Sequence, residues 1–151
     1  MERIKDISFY IVITTALTLL SYWSQSTFLF EYLRSNLIGL LITLLAINTA
    51  TTGLIASKMQ DMISNKSVID FRAPIREMKI SLTEQIILIS MSIVILILFN
   101  SQLIKFTYKE VILNSCLVFV LVYSLAILLD TGRAVFVLID GIQDNKKDKR
   151  Y

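Results

Sequence analysis

Four apolar segments of membrane-crossing length, a one-sided distribution of Lys and Arg, and aromatic residues gathered at one set of segment ends predict an all-α polytopic membrane protein. The segments are Ile7–Trp23, Leu37–Ser57, Gln85–Ile104 and Val111–Leu129. Each comes close to the roughly 20 residues that a helix needs to cross a hydrocarbon core about 30 Å thick. The chain is 151 residues long and 55% hydrophobic, with a mean hydropathy of +0.68. A soluble globule of this size has no interior for four such helices. Four glycines and one proline leave no flexible linker, so the expectation is one domain.

The first segment is read as a retained span, because Gln25, Ser26 and the aromatics after it do not form a small-x-small cleavage site. It carries a polar stripe, Thr14, Thr18, Ser21 and Gln25, at spacings of four, three and four.

The second segment has the most specific pattern. Gly39, Thr43, Ala46, Ala50, Gly53 and Ser57 recur at spacings of four and three along its whole length. In lipid, helices associate through close backbone approach, dispersion and interhelical hydrogen bonds, so a continuous stripe of small residues predicts a close neighbour and a central position. That neighbour is either another helix of the same chain or a second copy. Asn48 and Thr52 lie off the stripe. An amide near mid-membrane needs an interhelical partner, unless it lines an aqueous pathway. Met59, Met62 and Ile63 carry the apolar face onward until Asn65.

Between the second and third segments, the stretch Lys58–Leu82 is expected to be a short cationic loop. Ser81-Leu82-Thr83-Glu84 reads as a capping box that starts the third helix. Pro74 suits a turn or the first position of a short helix. Phe71, Arg72, Arg76 and Lys79 mix charge with an aromatic anchor, the composition of a partner-docking surface.

The fourth segment stays apolar well beyond Leu129, to Ile139. As a helix, Val111–Ile139 would be about 43 Å long at 1.5 Å per residue, so it must tilt, bend near Gly132 or project from the core. Asp130 and Arg133, spaced i, i+3, can pair at the inner boundary or serve an ion pathway.

Orientation follows from the charges. Arg3 and Lys5, then Lys58, Lys66, Arg72, Arg76 and Lys79, then Arg133, Lys146, Lys147, Lys149 and Arg150 fall on one side. Arg34, Lys105 and Lys109 fall on the other. Short loops rich in Lys and Arg stay cytoplasmic, which gives both termini inside and two outward-pointing hairpins, with Ser24–Asn36 and Asn100–Glu110 outside. Tyr22, Trp23, Phe28, Phe30, Tyr32, Phe99, Phe106 and Tyr108 cluster at the outer ends, where amphipathic rings favour the headgroup layer.

The chain has no histidine, and its one cysteine, Cys116, lies inside the fourth segment as a small packing residue. No glycine-rich phosphate loop, activated nucleophile or carboxylate cluster is present, so no enzyme, cofactor or metal centre is expected, nor direct nucleic-acid binding. Two function classes remain. One is a non-enzymatic membrane anchor or sensor that oligomerises and docks a cytosolic protein through its basic inner face. The other is an oligomeric ion channel or membrane-permeabilising effector. In overall architecture, compact and four-spanning with both termini inside, the chain resembles the membrane subunits of bacterial phage-defence systems such as the Kiwa membrane subunit. That resemblance implies a multi-pass protein of the bacterial inner membrane within a multi-subunit antiviral complex, and no motif assigns a residue to it.

Overall fold

The computed structural model contains four α-helices: α1 (Glu2–Trp23), α2 (Phe28–Ser64), α3 (Arg72–Asn100) and α4 (Lys109–Asp148). It describes the backbone of residues 2–64, 72–101 and 107–148, and the side chains of residues 7–60, 75–101 and 107–134. Helix is the structure these residues require. A chain segment in hydrocarbon must satisfy every backbone N–H and C=O internally, and an α-helix does so within one segment. Three helices are long and apolar enough to cross a membrane, over Phe28–Gln60, Ile75–Asn100 and Lys109–Ala134. The comparable stretch of α1, Ile7–Trp23, is shorter.

Local chemistry fixes the first hairpin. The Gln25 N–H donates to the Tyr22 carbonyl and the Ser26 N–H to the Ser21 carbonyl, at 3.1 and 3.0 Å. These two bonds, with Gln25 at a φ of 52°, form a Schellman ending to α1. Four residues then suffice to reverse the chain, and the Glu31 N–H donates to the Thr27 carbonyl at 3.0 Å in the first turn of α2. Helix α2 thus starts at Phe28, nine residues before the apolar run at Leu37, so most of the expected outer loop Ser24–Asn36 is helix.

Three further expectations are corrected. Helix α3 begins at Arg72, not at the Ser81 capping box, and runs straight through Pro74. Proline is tolerated in a first turn because the N–H groups there have no intrahelical acceptor. The expected loop Lys58–Leu82 is therefore mostly helix, since α2 runs to Ser64 and only residues 65–71 lie outside the described chain. Helix α3 also stops at Asn100, short of Ile104, where the Lys109 ammonium donates to the Ser101 carbonyl at 2.5 Å. Helix α4 is continuous across Gly132 to Asp148, about 60 Å at 1.5 Å per residue.

Helices α2, α3 and α4 pack on one another, while α1 packs on α4. Contacts at the two ends set the directions. Arg34 meets Phe99 and Asn114 at one end, and Asn48 meets Ser81 and Gln85 further along. So α3 runs antiparallel to α2 and α4. The core between these points is aliphatic: Leu33, Leu37, Leu117, Val118 and Val120 are fully buried, with Leu41, Leu88, Ile95 and Ile127 around them. Tyr10 meets Tyr123 edge-on, which ties α1 to α4.

The small-residue stripe does not face this core. Buried positions on α2 include Leu41, Asn48 and Ile55, seven residues apart. Gly39, Ala46 and Gly53 each stand two residues earlier, about 200° around a helix of 3.6 residues per turn. Gly39, Thr43, Ala46, Ala50, Gly53 and Ser57 are all exposed, and a Cβ built on Gly39 or Gly53 meets nothing within 4 Å. Among the described residues the stripe therefore lies outside the core of the bundle. The helix itself remains central, touching both α3 and α4.

The α1 ending supplies a test. Left-handed backbone costs an L-residue about 1–2 kcal/mol, and a β-branched side chain is worse placed than glutamine. Gln25→Gly, which removes that cost, is expected to preserve or raise stability and Gln25→Val to lower it further, read by thermal unfolding followed by circular dichroism. Equal stability of the two variants would contradict the Schellman ending.

Candidate functional site: two polar layers in the helix bundle

Two polar layers interrupt the aliphatic core. The one nearer the C-terminal ends of α2 and α4, labelled inner, joins three helices through Asn48 (α2), Ser81 and Gln85 (α3) and Thr131 (α4). Asn48 Nδ2 donates to Gln85 Oε1 at 2.9 Å and to Ser81 Oγ at 3.0 Å. Ser81 Oγ lies 3.2 Å from Thr131 Oγ1, which donates to the Ile127 carbonyl at 3.1 Å. Because the Thr131 proton is used on that carbonyl, the Ser81 hydroxyl donates to Thr131. The donors therefore point one way, from α2 through α3 to α4, and this pattern assigns the amide orientations. Reversing both amides would draw the Ser81 proton to Asn48 and break the link to Thr131.

Burial makes the layer costly to disturb. Asn48 is 0% exposed, Gln85 2% and Thr131 7%. Asn48 Oδ1, Gln85 Nε2 and Thr52 Oγ1 are buried with no partner. An amide donor and an amide acceptor are thus left over within one buried layer. None of these side chains titrates, so the layer offers hydrogen bonds and no acid–base chemistry.

The outer layer is built on Arg34. Its guanidinium carbon lies 3.8 Å from the centroid of the Phe99 ring. Nε and Nη2 donate to Asn114 Oδ1 at 3.2 and 3.0 Å. Arginine stays charged in protein, and here a ring face and a neutral amide oxygen hold it. Arg34 and Asn48 are fourteen residues apart, about 21 Å along α2 at 1.5 Å per residue.

The structure distributes the sequence-predicted residues as follows. Asn48 is the bolt between helices and is sealed from solvent. Thr14, Thr18 and Ser21 of the α1 stripe are buried, and Gln25 lies in the turn. Asp130 and Arg133 stand 3.5 Å apart on exposed α4 surface, flanking the inner layer without entering it. Arg76 lies 3.9 Å from Glu77, with both side chains exposed. Arg72, Arg76 and Lys79, spaced four and three on a continuous helix, share one register stripe of α3. Phe71 lies outside the described residues, as does the side chain of Arg72. Among the described residues no three His, Cys, Asp or Glu side chains come together as a metal site.

Ser81, Gln85, Thr131, Arg34 and Asn114 were not picked out from the sequence as site residues. Ser81 reads as a helix cap, Arg34 as a loop charge, and the others as single polar residues in apolar helices. Their roles depend on which helices become neighbours, which one chain's spacing does not encode. No known protein family, curated protein or solved structure matches the chain.

Coupling across the inner layer is measurable. Interhelical side-chain bonds in membranes average about 0.6 kcal/mol, with a maximum near 1.7. Asn48→Leu and Gln85→Leu are each expected to destabilise the bundle, because each strands the other amide. The double variant should be more stable than the sum of the two predicts, by roughly that coupling energy. Strict additivity in a detergent-unfolding assay would remove the bond.

Proposed function

We propose that the protein is a non-enzymatic membrane anchor, with four spans, both termini inside, and a helical inner face that docks a cytosolic protein. The observation that carries this reading is where the long helices overshoot the bilayer. Helices α2 and α4 contain 37 and 40 residues, about 55 and 60 Å, against a core of about 30 Å. The antiparallel order brings the C-terminal ends of α2 and α4 and the N-terminal end of α3 to the same side. That side carries Lys58, Arg76, Lys79 and Arg133. Regular helix projecting from a membrane offers a rigid platform, and its cations satisfy the positive-inside rule at the same time.

The other half of the reading is self-association. The stripe from Gly39 to Ser57 is exposed among the described residues, and small residues let a second copy's helix approach closely. An anchor of this kind fits a multi-subunit complex of a bacterial inner membrane, with phage defence as the process that the architectural resemblance suggests. The channel reading gains less support. The amide most suited to line a pathway, Asn48, is sealed among three helices.

Native mass spectrometry in detergent tests both halves. The expected result is a homo-oligomer that Ala46→Leu with Gly53→Leu shifts towards monomer. A bound soluble subunit from the native host should be lost from Phe71→Ala and Arg76→Glu variants that still insert in the membrane. A monomeric unaltered protein would refute self-association, and retention of the soluble subunit by both variants would refute docking on the α3 end.

A further inference from the structure

A groove of about 600 Å³ opens between α2 and α3 at the outer end of the bundle. Ile38 of α2 and Ile93, Leu96, Ile97, Asn100 and Ser101 at the end of α3 line it. Ile93 to Ser101 is about 12 Å of helix at 1.5 Å per residue, apolar until its last two positions. The groove is thus oily along its length and polar at one mouth.

Two cations stand at that mouth. Arg34 lies one helical turn before Ile38 on α2, and its ring partner Phe99 precedes Asn100. Lys109 reaches the carbonyl of Ser101, itself a lining residue. Both are held by neutral groups: an amide oxygen and a ring face for Arg34, a backbone carbonyl for Lys109. Glu31 and Glu110 are near in sequence but make no ion pair with either cation. Two of the five guanidinium N–H groups of Arg34 are used on Asn114, which leaves three for an anion.

We infer that this groove is a binding site for one anionic phospholipid, with its phosphate on Arg34 and Lys109 and an acyl chain along Ile93–Ile97. Charge complementarity selects the headgroup. A planar guanidinium pre-oriented by Phe99 and Asn114 matches a phosphate in two-point contact. An apolar trough leading from that charge selects a lipid over a free anion, because a free anion gains nothing from Ile93 or Ile97. The site requires only that the bundle lie in a bilayer, and it is independent of the docking role at the opposite end.

The test compares phosphatidylglycerol and phosphatidylcholine of identical chains, added to the detergent-solubilised protein and read as retained lipid by native mass spectrometry. The unaltered protein should retain phosphatidylglycerol about ten-fold more than phosphatidylcholine. Arg34→Gln should bring the two lipids level, while Arg34→Lys keeps most of the preference. Ile97→Trp fills the trough from an exposed position remote from the core, and should reduce retention of phosphatidylglycerol several-fold with helicity unchanged. Equal retention of both lipids by the unaltered protein, or an undiminished preference in Arg34→Gln, overturns the headgroup site. Undiminished retention in Ile97→Trp overturns the groove as the seat of the acyl chain.

Discussion

A side-chain amide inside hydrocarbon has no water to bond, so its partners must come from neighbouring helices, and they dictate which helices those are. Asn48 meets that constraint by donating to two groups on α3, one of which passes the bond on to α4. Apolar surface cannot set this arrangement, because lipid tails are as apolar as leucine. Any rotation of α2 or slip of α3 would strand one more polar group in the core. The aliphatic residues around the layer contribute dispersion and close packing once the register is set. The three unpartnered atoms beside the layer raise the cost of its construction and mark it as the most sensitive point of the bundle.

Arg34 acts near the start of α2 as Asn48 does fourteen residues on. It reaches Asn114 on α4 and Phe99 on α3, so the same three helices are clamped twice along their length. Two clamps at different depths fix tilt as well as register. With the interior of α2 committed to this task, its small residues are left on the outside. The stripe that suggested a packing face turns away from this chain's core. A double clamp and an outward stripe are compatible with the anchor proposed above, whose exterior is left free to meet other molecules.

Helix content and the three longest spans were legible in the sequence because they follow from hydropathy and length alone. The end of α1 at Trp23 was readable from the polar run that follows it. Helix starts were not. Hydropathy falls where α2 passes through Glu31 and Arg34, yet the backbone stays helical because helical bonding does not depend on side-chain polarity. The Ser81-to-Glu84 pattern satisfies the capping-box spacing, but the nine residues before it are also helical, which frees the Ser81 hydroxyl for its tertiary bond. Asn48 stood out because an isolated amide in lipid needs a partner. The identity of that partner required the antiparallel offset of α2 and α3, and spacing within one helix carries no information about an offset between two.

The state of the Asn48 amide distinguishes a sealed bolt from a water-lined pathway most directly. Solid-state NMR of protein labelled at asparagine and glutamine side chains, in lipid bilayers exchanged into D2O, reads it. A sealed bolt gives a cross-peak between the Asn48 side-chain nitrogen and the Gln85 side-chain carbonyl, with the Asn48 amide protons persisting long after exposed amides such as Asn36 have exchanged. Rapid exchange at Asn48, or a missing contact to Gln85, would contradict it.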